Sequence, residues 1–109
     1  RFIAFLDVNP LTPGHTLVVP KQETDYLFDL DDKTLADMML FAKKIAKAMK
    51  EVIDCKRVAV AVLGLEVPHA HIHLVPIKKE SDLLFTNPRA KVSPEENTRI
   101  ARSIGDKMI

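Results

Sequence analysis

Three of the four histidines in this 109-residue chain lie at alternate positions of one short apolar run. The run, V-P-H-A-H-I-H-L-V-P, extends from Val67 to Pro76 and contains His69, His71 and His73. In an extended strand successive side chains point to opposite faces, so we expect the three imidazoles to share one face, ~6.5–7 Å apart. Imidazole titrates near neutral pH, forms hydrogen bonds and attacks phosphorus, so the pattern indicates a site that handles an anion.

Three interpretations of these histidines are open from the residues alone. They could be surface side chains without chemistry. They could bind a zinc ion, since His-x-His on a strand can chelate and three imidazoles would leave one coordination position free. In the third interpretation, a neutral central imidazole attacks phosphorus while its neighbours hold the phosphate oxygens.

The strands that would position these residues can be located from apolar runs bounded by turn residues. They are predicted at residues 1–8, 15–19, 57–63 and 67–77. In the last of them, Ala70, Ile72 and Leu74 would point away from the histidines and pack under a helix. The segment from 82 to 92 shows no regular pattern.

Helical periodicity predicts a long helix over residues 32–53, with Asp31 as N-cap and an inner stripe that contains Met38, Met39 and Met49. A second helix is predicted after Ser93, with a proline at its first position. The connections are mostly short. We therefore expect an α+β fold, a mostly antiparallel sheet with the long helix packed on it and a C-terminal helix.

Composition limits the class of protein. With 47% apolar and 28% charged residues, the chain is expected to form one globular domain, residues 1–109. The net charge of +1 disfavours a dedicated nucleic-acid binder. The lysines Lys43, Lys44, Lys47 and Lys50 do cluster, but they are expected on the solvated face of a helix. No apolar run approaches ~20 residues, so no membrane span is expected.

Two further features of the sequence bear on the compartment of the protein and on whether the chain is preceded by other residues. Cys55 is the only cysteine, so no internal disulfide can form, which favours a reducing compartment, the cytoplasm. The chain begins with Arg1 inside a strand-like run, so we expect that residues upstream of it are missing from this sequence.

A second block lies upstream of the three histidines and contains the fourth. It runs F-L-D-V-N-P-L-T-P-G-H-T-L-V-V-P-K from Phe5 to Lys21, with Asp7 and His15 inside it. Together with H-A-H-I-H-L-V, this block resembles the histidine triad (HIT) family of nucleotide hydrolases and transferases. The resemblance extends from about residue 2 to residue 77, and the two blocks have the family's order, with a helix between them.

The resemblance implies a purine nucleotide substrate, such as one containing AMP, bound with its α-phosphate at the triad. His71 would attack phosphorus and form a covalent nucleotidyl-histidine that water then cleaves. His73 would contact the phosphate or the leaving group, and His69 and His15 would orient the site. From the residues alone, His15 could instead be a structural histidine at a strand start.

For the nucleoside, the resemblance implies that Asp7 accepts hydrogen bonds from the ribose and that Phe5 and Val8 line the base and sugar pocket. Asp7 could also be a turn residue before Asn9. The mechanism requires no metal, although some dinucleotide-cleaving members use magnesium bound to the substrate. Members commonly pair as homodimers that extend the sheet, so a homodimer is expected here too.

The chain departs from the family pattern just before the triad. Many members have Gly-Gln-(Ser/Thr)-Val, whereas this chain has Leu65 at the glutamine position and Glu66 at the hydroxyl position. An ionised Glu66 would repel a phosphate, so it is expected to act on a cationic leaving group or to face solvent. We include it among the candidate nucleotide-binding residues. Two alternatives to a hydrolase remain, a nucleotide sensor with little turnover and a zinc-binding protein.

Overall fold

The computed structural model describes residues 1–108 and contains one four-stranded sheet. The strands, in chain order, are β1 (Phe2–Leu6), β2 (Thr16–Pro20), β3 (Arg57–Ala61) and β4 (Ile72–Ile77). The spatial order is β1-β2-β4-β3, and every neighbouring pair is antiparallel. The expected α+β fold is confirmed. The expected domain ended at Ile109, which lies outside the described residues.

Two α-helices accompany the sheet, α1 (Asp32–Val52) and α2 (Pro94–Lys107). Short 3₁₀ turns lie at Leu27–Asp29 and Glu80–Leu83. Helix α1 begins where Oδ2 of Asp31 accepts a hydrogen bond from the backbone N–H of Thr34, as the sequence predicts.

The core lies between α1 and one face of the sheet. Helix α1 contributes Met38 and Met49, both fully buried, and the sheet contributes Val18, Ile72 and Leu74. The inclusion of Met39 in the inner stripe was wrong, because 44% of this residue is exposed. One residue along a helix turns the side chain by ~100°, which takes it away from the sheet.

The opposite face of the sheet, which we call the open face, carries a row of cross-strand neighbours. Leu17 pairs with both Phe5 and His73, and His73 also pairs with Ala61. Paired residues in a ladder project on the same side. Since Ile72 and Leu74 point to α1, the alternation of the strand directs His73 to the open face.

The fourth strand is shorter than the predicted range 67–77. Strand β4 begins at Ile72, so His69 and His71 precede it, and residues 65–69 form a bend. Pro68 lies in that bend and has no N–H to donate to a ladder. The N–H of Ala70 donates to the carbonyl of Thr24 (2.6 Å), which lies outside the sheet. The other predicted strands differ only at their ends.

Candidate active site

His15 and His73 form a buried pair at the base of the site. His15 directly precedes β2 and is 1% exposed, and His73 lies in β4 and is 9% exposed. Nε2 of His15 lies 3.0 Å from Nδ1 of His73. The Nδ1 atom of His15 accepts a hydrogen bond from the backbone N–H of Leu11 (3.0 Å). The two central strands therefore bring together histidines that are far apart in the sequence.

These hydrogen bonds fix the positions of the protons. Because Nδ1 of His15 accepts from a backbone N–H, its own proton must be on Nε2, which donates to Nδ1 of His73. A neutral His73 that accepts at Nδ1 carries its proton on Nε2. His73 therefore presents an N–H donor beside His71, whose ring centroid is 4.8 Å away.

Burial keeps this pair neutral. Burial is the main cause that lowers the pKa of His73 to about 4, and the nearby His15 and His71 add to the effect. Burial also lowers the pKa of His15, although the carboxylate of Asp7 acts in the opposite direction. At neutral pH both rings are therefore uncharged, and they act through N–H dipoles rather than as cations.

His71 is in the opposite tautomer to His73. Its Nδ1 lies 2.7 Å from the carbonyl oxygen of His69. A carbonyl only accepts, so Nδ1 carries the proton and Nε2 carries the lone pair. Within residues 1–108, Nε2 makes no hydrogen bond, and the side chain lines a cleft. His71 thus offers an unprotonated nitrogen to whatever enters the cleft.

His69 points elsewhere. Its Nε2 donates to the carbonyl oxygen of Pro20 at the end of β2 (2.8 Å), and it does not line the cleft. The bond attaches the bend before β4 to the neighbouring strand. The carbonyl of His69 also accepts the hydrogen bond from Nδ1 of His71. His69 therefore positions His71 through both its backbone and its ring.

Asp7 follows β1 and reaches the same site. Its Oδ1 accepts from the backbone N–H of Asn9 (2.9 Å), and its Oδ2 lies 3.8 Å from Nε2 of His15. Its backbone N–H donates to the carbonyl of His15 (2.9 Å), and Nδ2 of Asn97 in α2 donates to its carbonyl. The carboxylate is thus a partly exposed acceptor held at the edge of the cleft.

The cleft on the open face has a volume of about 430 Å³. It brings together four of the predicted site residues, Asp7, Glu66, His71 and His73. The remaining lining residues are Asn9, Leu17, Leu63, Gly64, Leu65, Val67, Phe85 and Arg89.

Two predicted nucleotide-binding residues lie outside the cleft lining. Phe5 is 48% exposed and lies on the open face, in the same row as Leu17 and His73. Val8 is 91% exposed. The structure therefore does not bring either residue to the histidines, although Phe5 extends the open face toward β1.

Sequence reasoning missed Phe85 and Arg89. Both belong to the segment that showed no regular pattern, and both line the cleft. The Phe85 ring centroid lies 4.8 Å from that of His73 and 6.3 Å from that of His15. The available signal was weak: an isolated aromatic residue and an isolated arginine in F-T-N-P-R, a turn-forming stretch.

The arrangement of protons bears on metal binding. Ring nitrogens of His69, His71 and His73 already bind protein groups, so the triad offers the cleft one lone pair and one N–H rather than three lone pairs. Within residues 1–108, no three His, Cys, Asp or Glu side chains are arranged to hold a metal ion. Nε2 of His71 is thus the ring nitrogen that presents a lone pair to the cleft. In the described part of the chain, no helix has the length and apolar character needed to cross a membrane.

Comparison with known proteins identifies relatives of this chain. The family model described as HIT domain matches residues 1–80. An uncharacterized HIT-like protein of Borreliella burgdorferi is 41% identical over 90 residues, which are 76% of this chain and 65% of that protein. An adenosine 5′-monophosphoramidase of Saccharomyces cerevisiae is 40% identical over 85 residues, 75% of this chain and 52% of that protein. The match thus spans about half to two thirds of the length of these relatives.

A solved structure shows the same architecture. The crystal structure of a HIT-like protein involved in cell-cycle regulation from Bartonella henselae superimposes with a TM-score of 0.81. It is 30% identical in sequence, and the match covers 97% of this chain and 79% of that chain.

Proposed function

The chain belongs to the histidine triad family, and from that premise we propose that it is a nucleotide hydrolase or nucleotidyl transferase. The proposed reaction cleaves the bond between the α-phosphate of a purine nucleotide and its leaving group through a covalent nucleotidyl-His71. Candidate substrates are a nucleoside phosphoramidate, a nucleoside-phosphoryl ester and a dinucleotide polyphosphate. The yeast relative named as an adenosine 5′-monophosphoramidase supports a substrate that contains AMP.

One observation carries the proposal. Nδ1 of His71 donates to the carbonyl of His69, which leaves the Nε2 lone pair free in a cleft on the open face. The same bond stabilises the positive charge that the ring acquires when Nε2 bonds to phosphorus. A histidine held in the other tautomer would present a proton instead of a nucleophile.

The proposed reaction has two steps. In the first, the Nε2 lone pair of His71 forms the N–P bond as the bond from phosphorus to the leaving group breaks. The leaving group departs with that electron pair and takes a proton from water. In the second, a water oxygen bonds to phosphorus and gives its proton to solvent, and the electrons of the N–P bond return to Nε2. An acceptor alcohol or phosphate in place of water would make the reaction a transfer.

His73 and His15 support these steps as donors rather than as acids. With its pKa near 4, His73 holds no extra proton to give at neutral pH, but its Nε2–H can donate to a phosphate oxygen. The Nε2–H of His15 donates to Nδ1 of His73 and so keeps the proton of His73 on its Nε2. We propose that Asp7 binds the ribose hydroxyls and that Phe5 and Val8 border the nucleoside, on the resemblance to the family. No metal is required, although magnesium bound to a polyphosphate substrate is compatible with the two steps.

The proposal extends to the assembly and the location of the protein. Strand β3 is an edge of the sheet, and an apolar groove of about 620 Å³ lies between it and α1. Met39, Leu40 and Val60 line this groove and are 44–61% exposed. A second copy of the chain that pairs here would cover them, which supports a homodimer. We expect the protein to act in the cytoplasm.

The test is the variant His71→Ala, measured for turnover of adenosine 5′-phosphoramidate and for binding of AMP. We expect turnover to fall by at least about 10⁴-fold, while AMP affinity changes little, because only the nucleophile is lost. Rapid quenching of the unmutated protein in alkaline denaturant, which preserves the acid-labile N–P bond, followed by mass spectrometry should show AMP attached to His71. Tyr26→Ala changes an exposed residue outside the cleft and serves as the control.

The outcomes separate the proposal from its rival. Turnover by the His71→Ala variant at the unmutated rate would remove the proposed nucleophile. AMP binding without turnover of any phosphoramidate or dinucleotide would favour a nucleotide sensor. The exposed Leu65 and Glu66, which replace the usual family residues beside the triad, are the feature that supports this alternative.

A further inference from the structure

Arg89 reaches the cleft from the irregular segment between β4 and α2. The backbone of that segment is attached to the loop after β1, since the N–H of Ala90 donates to the carbonyl of Pro10 (2.8 Å). The side chain of Asn87 donates to the carbonyl of Ser81 (2.7 Å) and stabilises the turn that precedes Arg89. Arg89 is therefore held at the cleft by hydrogen bonds on both sides of it in the sequence.

The guanidinium group lies on an aromatic ring that contacts the triad. Its central carbon is 5.6 Å from the ring centroid of Phe85, a distance typical of a cation–π contact. The same ring packs against His73. Burial is the main cause of the lowered pKa of His15 and of His73, and the charge of Arg89 lowers both further. The cation, the aromatic ring and the donor histidine thus form one connected group.

The charges of the cleft are unfavourable for a phosphate without Arg89. Asp7 and Glu66 contribute carboxylates, and the buried histidines are neutral at pH 7. Among the lining residues in the described part of the chain, Arg89 alone carries a permanent positive charge. Its guanidinium forms no ion pair or side-chain hydrogen bond within residues 1–108, so its N–H donors are available to a ligand.

We propose that Arg89 binds the phosphate of the nucleotide that lies against His71. The inference rests on the proposed function and adds to it the group that offsets the phosphate charge. A guanidinium presents a planar fork of donors that matches two phosphate oxygens, whereas the neutral triad offers the single N–H of His73. Stacking on Phe85 limits the rotamers of the long side chain, so less entropy is lost when the phosphate binds.

The experiment compares AMP with adenosine, which lacks the phosphate, by calorimetric titration of four proteins. They are the unmutated chain, Arg89→Ala, Arg89→Lys and the control Lys91→Ala, which removes an exposed cation outside the cleft. We expect Arg89→Ala to weaken AMP binding by roughly 10- to 100-fold, the usual effect of losing a hydrogen bond to a charged group. Adenosine affinity should change less than about twofold. Arg89→Lys should be intermediate, and Lys91→Ala should match the unmutated chain.

The dependence on salt gives a second readout. AMP affinity of the unmutated chain should fall with ionic strength more steeply than that of Arg89→Ala, because one charge pair is lost in the variant. If Arg89→Ala does not fold, Arg89→Gln retains a polar stem against Phe85 and should show the same selective loss for AMP.

Each contrary result has a distinct meaning. Equal AMP affinity in the unmutated chain and Arg89→Ala overturns the role of Arg89 and leaves the proposed function intact. An equal loss of AMP and adenosine affinity also overturns it, since Arg89 would then only support the packing of Phe85. If the unmutated chain binds no AMP, the proposed function itself fails.

Discussion

The cleft has two walls that are built differently. One, which we call the buried wall, consists of Leu17 and His73 on the two central strands, with His15 hydrogen-bonded to His73 behind the cleft surface. The other, which we call the loop wall, consists of residues 63–67 between β3 and β4. His15 is 1% exposed, whereas Leu65 is 94% exposed. The buried wall is fixed by strand pairing and imidazole hydrogen bonds, and the loop wall projects into solvent.

The difference separates two tasks of the site. The proton position on His73 follows from the hydrogen bonds of His15, so it does not depend on the loop wall. The loop wall borders the space beside His71, where a leaving group would depart. In the proposed reaction, the attack on phosphorus would therefore use groups held by the buried wall, and the exposed loop wall would border the leaving group.

Two glycines allow the strongest test of this contrast. Gly14 precedes the buried wall and Gly64 begins the turn of the loop wall, and both have positive φ, 94° and 74°. An added methyl group at Gly14 would collide with the side chain of Ile53, whereas nothing lies within 4 Å of the equivalent position at Gly64. The colliding atom is the terminal methyl of Ile53, which can rotate away, so we expect Gly14→Ala to lower the free energy of unfolding by about 2–3 kcal/mol, from the positive φ and the repacking of Ile53.

Gly64→Ala is the matched variant. It carries the conformational strain without the collision, so we expect a loss of about 1–2 kcal/mol in urea unfolding. Equal losses in the two variants would show that the walls do not differ in packing.

The neutral histidine of the buried wall makes stability depend on pH. The pKa of His73 is 6.5 when the chain is unfolded and about 4 when it is folded, so the unfolded state binds more protons between these values. The stabilising contribution of the neutral His73 is therefore present in full well above pH 6.5 and is lost as the pH falls toward 4. Between pH 7.5 and pH 5 we expect the unmutated chain to lose about 2 kcal/mol from this group.

His73→Gln should reduce that loss, because glutamine retains hydrogen-bonding capacity without titrating. The measurement is urea unfolding of both proteins at pH 7.5, 6 and 5. Parallel stability profiles for the two proteins would contradict the assignment of a buried neutral His73.

The smallest expected effect concerns the loop wall. Glu66 is exposed, so Glu66→Gln should change the free energy of unfolding by less than about 0.5 kcal/mol. Its carboxylate should favour cationic leaving groups. We therefore expect the variant to raise kcat/KM for an anionic leaving group relative to a cationic one by roughly two- to fivefold. Two AMP phosphoramidates whose amines differ only in a remote charge would measure this ratio, and a shift in the other direction would reject the role.

Much of the buried wall was visible in the sequence. The alternation of Ala70, Ile72 and Leu74 with the histidines correctly predicted a core-facing set, and all three are buried against α1. The block with Asp7 and His15 led to the family, which the comparison confirmed. Local patterns worked here because each depends on the period of a single element.

The loop wall and the segment after β4 were not predictable in the same way. The bend at Pro68 depends on a hydrogen bond from Ala70 to Thr24, which lies 46 residues earlier in the chain. The position of Arg89 depends on a bond between Ala90 and Pro10. Neither contact leaves a periodic signal, because irregular segments are placed by individual long-range bonds.

The hydrogen bond between His15 and His73 joins residues that are 58 positions apart. It can form only when β2 and β4 are adjacent, which requires the intervening helix and β3 to be accommodated as well. A chain that has only its local helical structure would contain His71, the proposed nucleophile, without the oriented His73 beside it. During refolding, recovery of the proposed activity should therefore follow closure of the sheet rather than the earlier gain of helical signal.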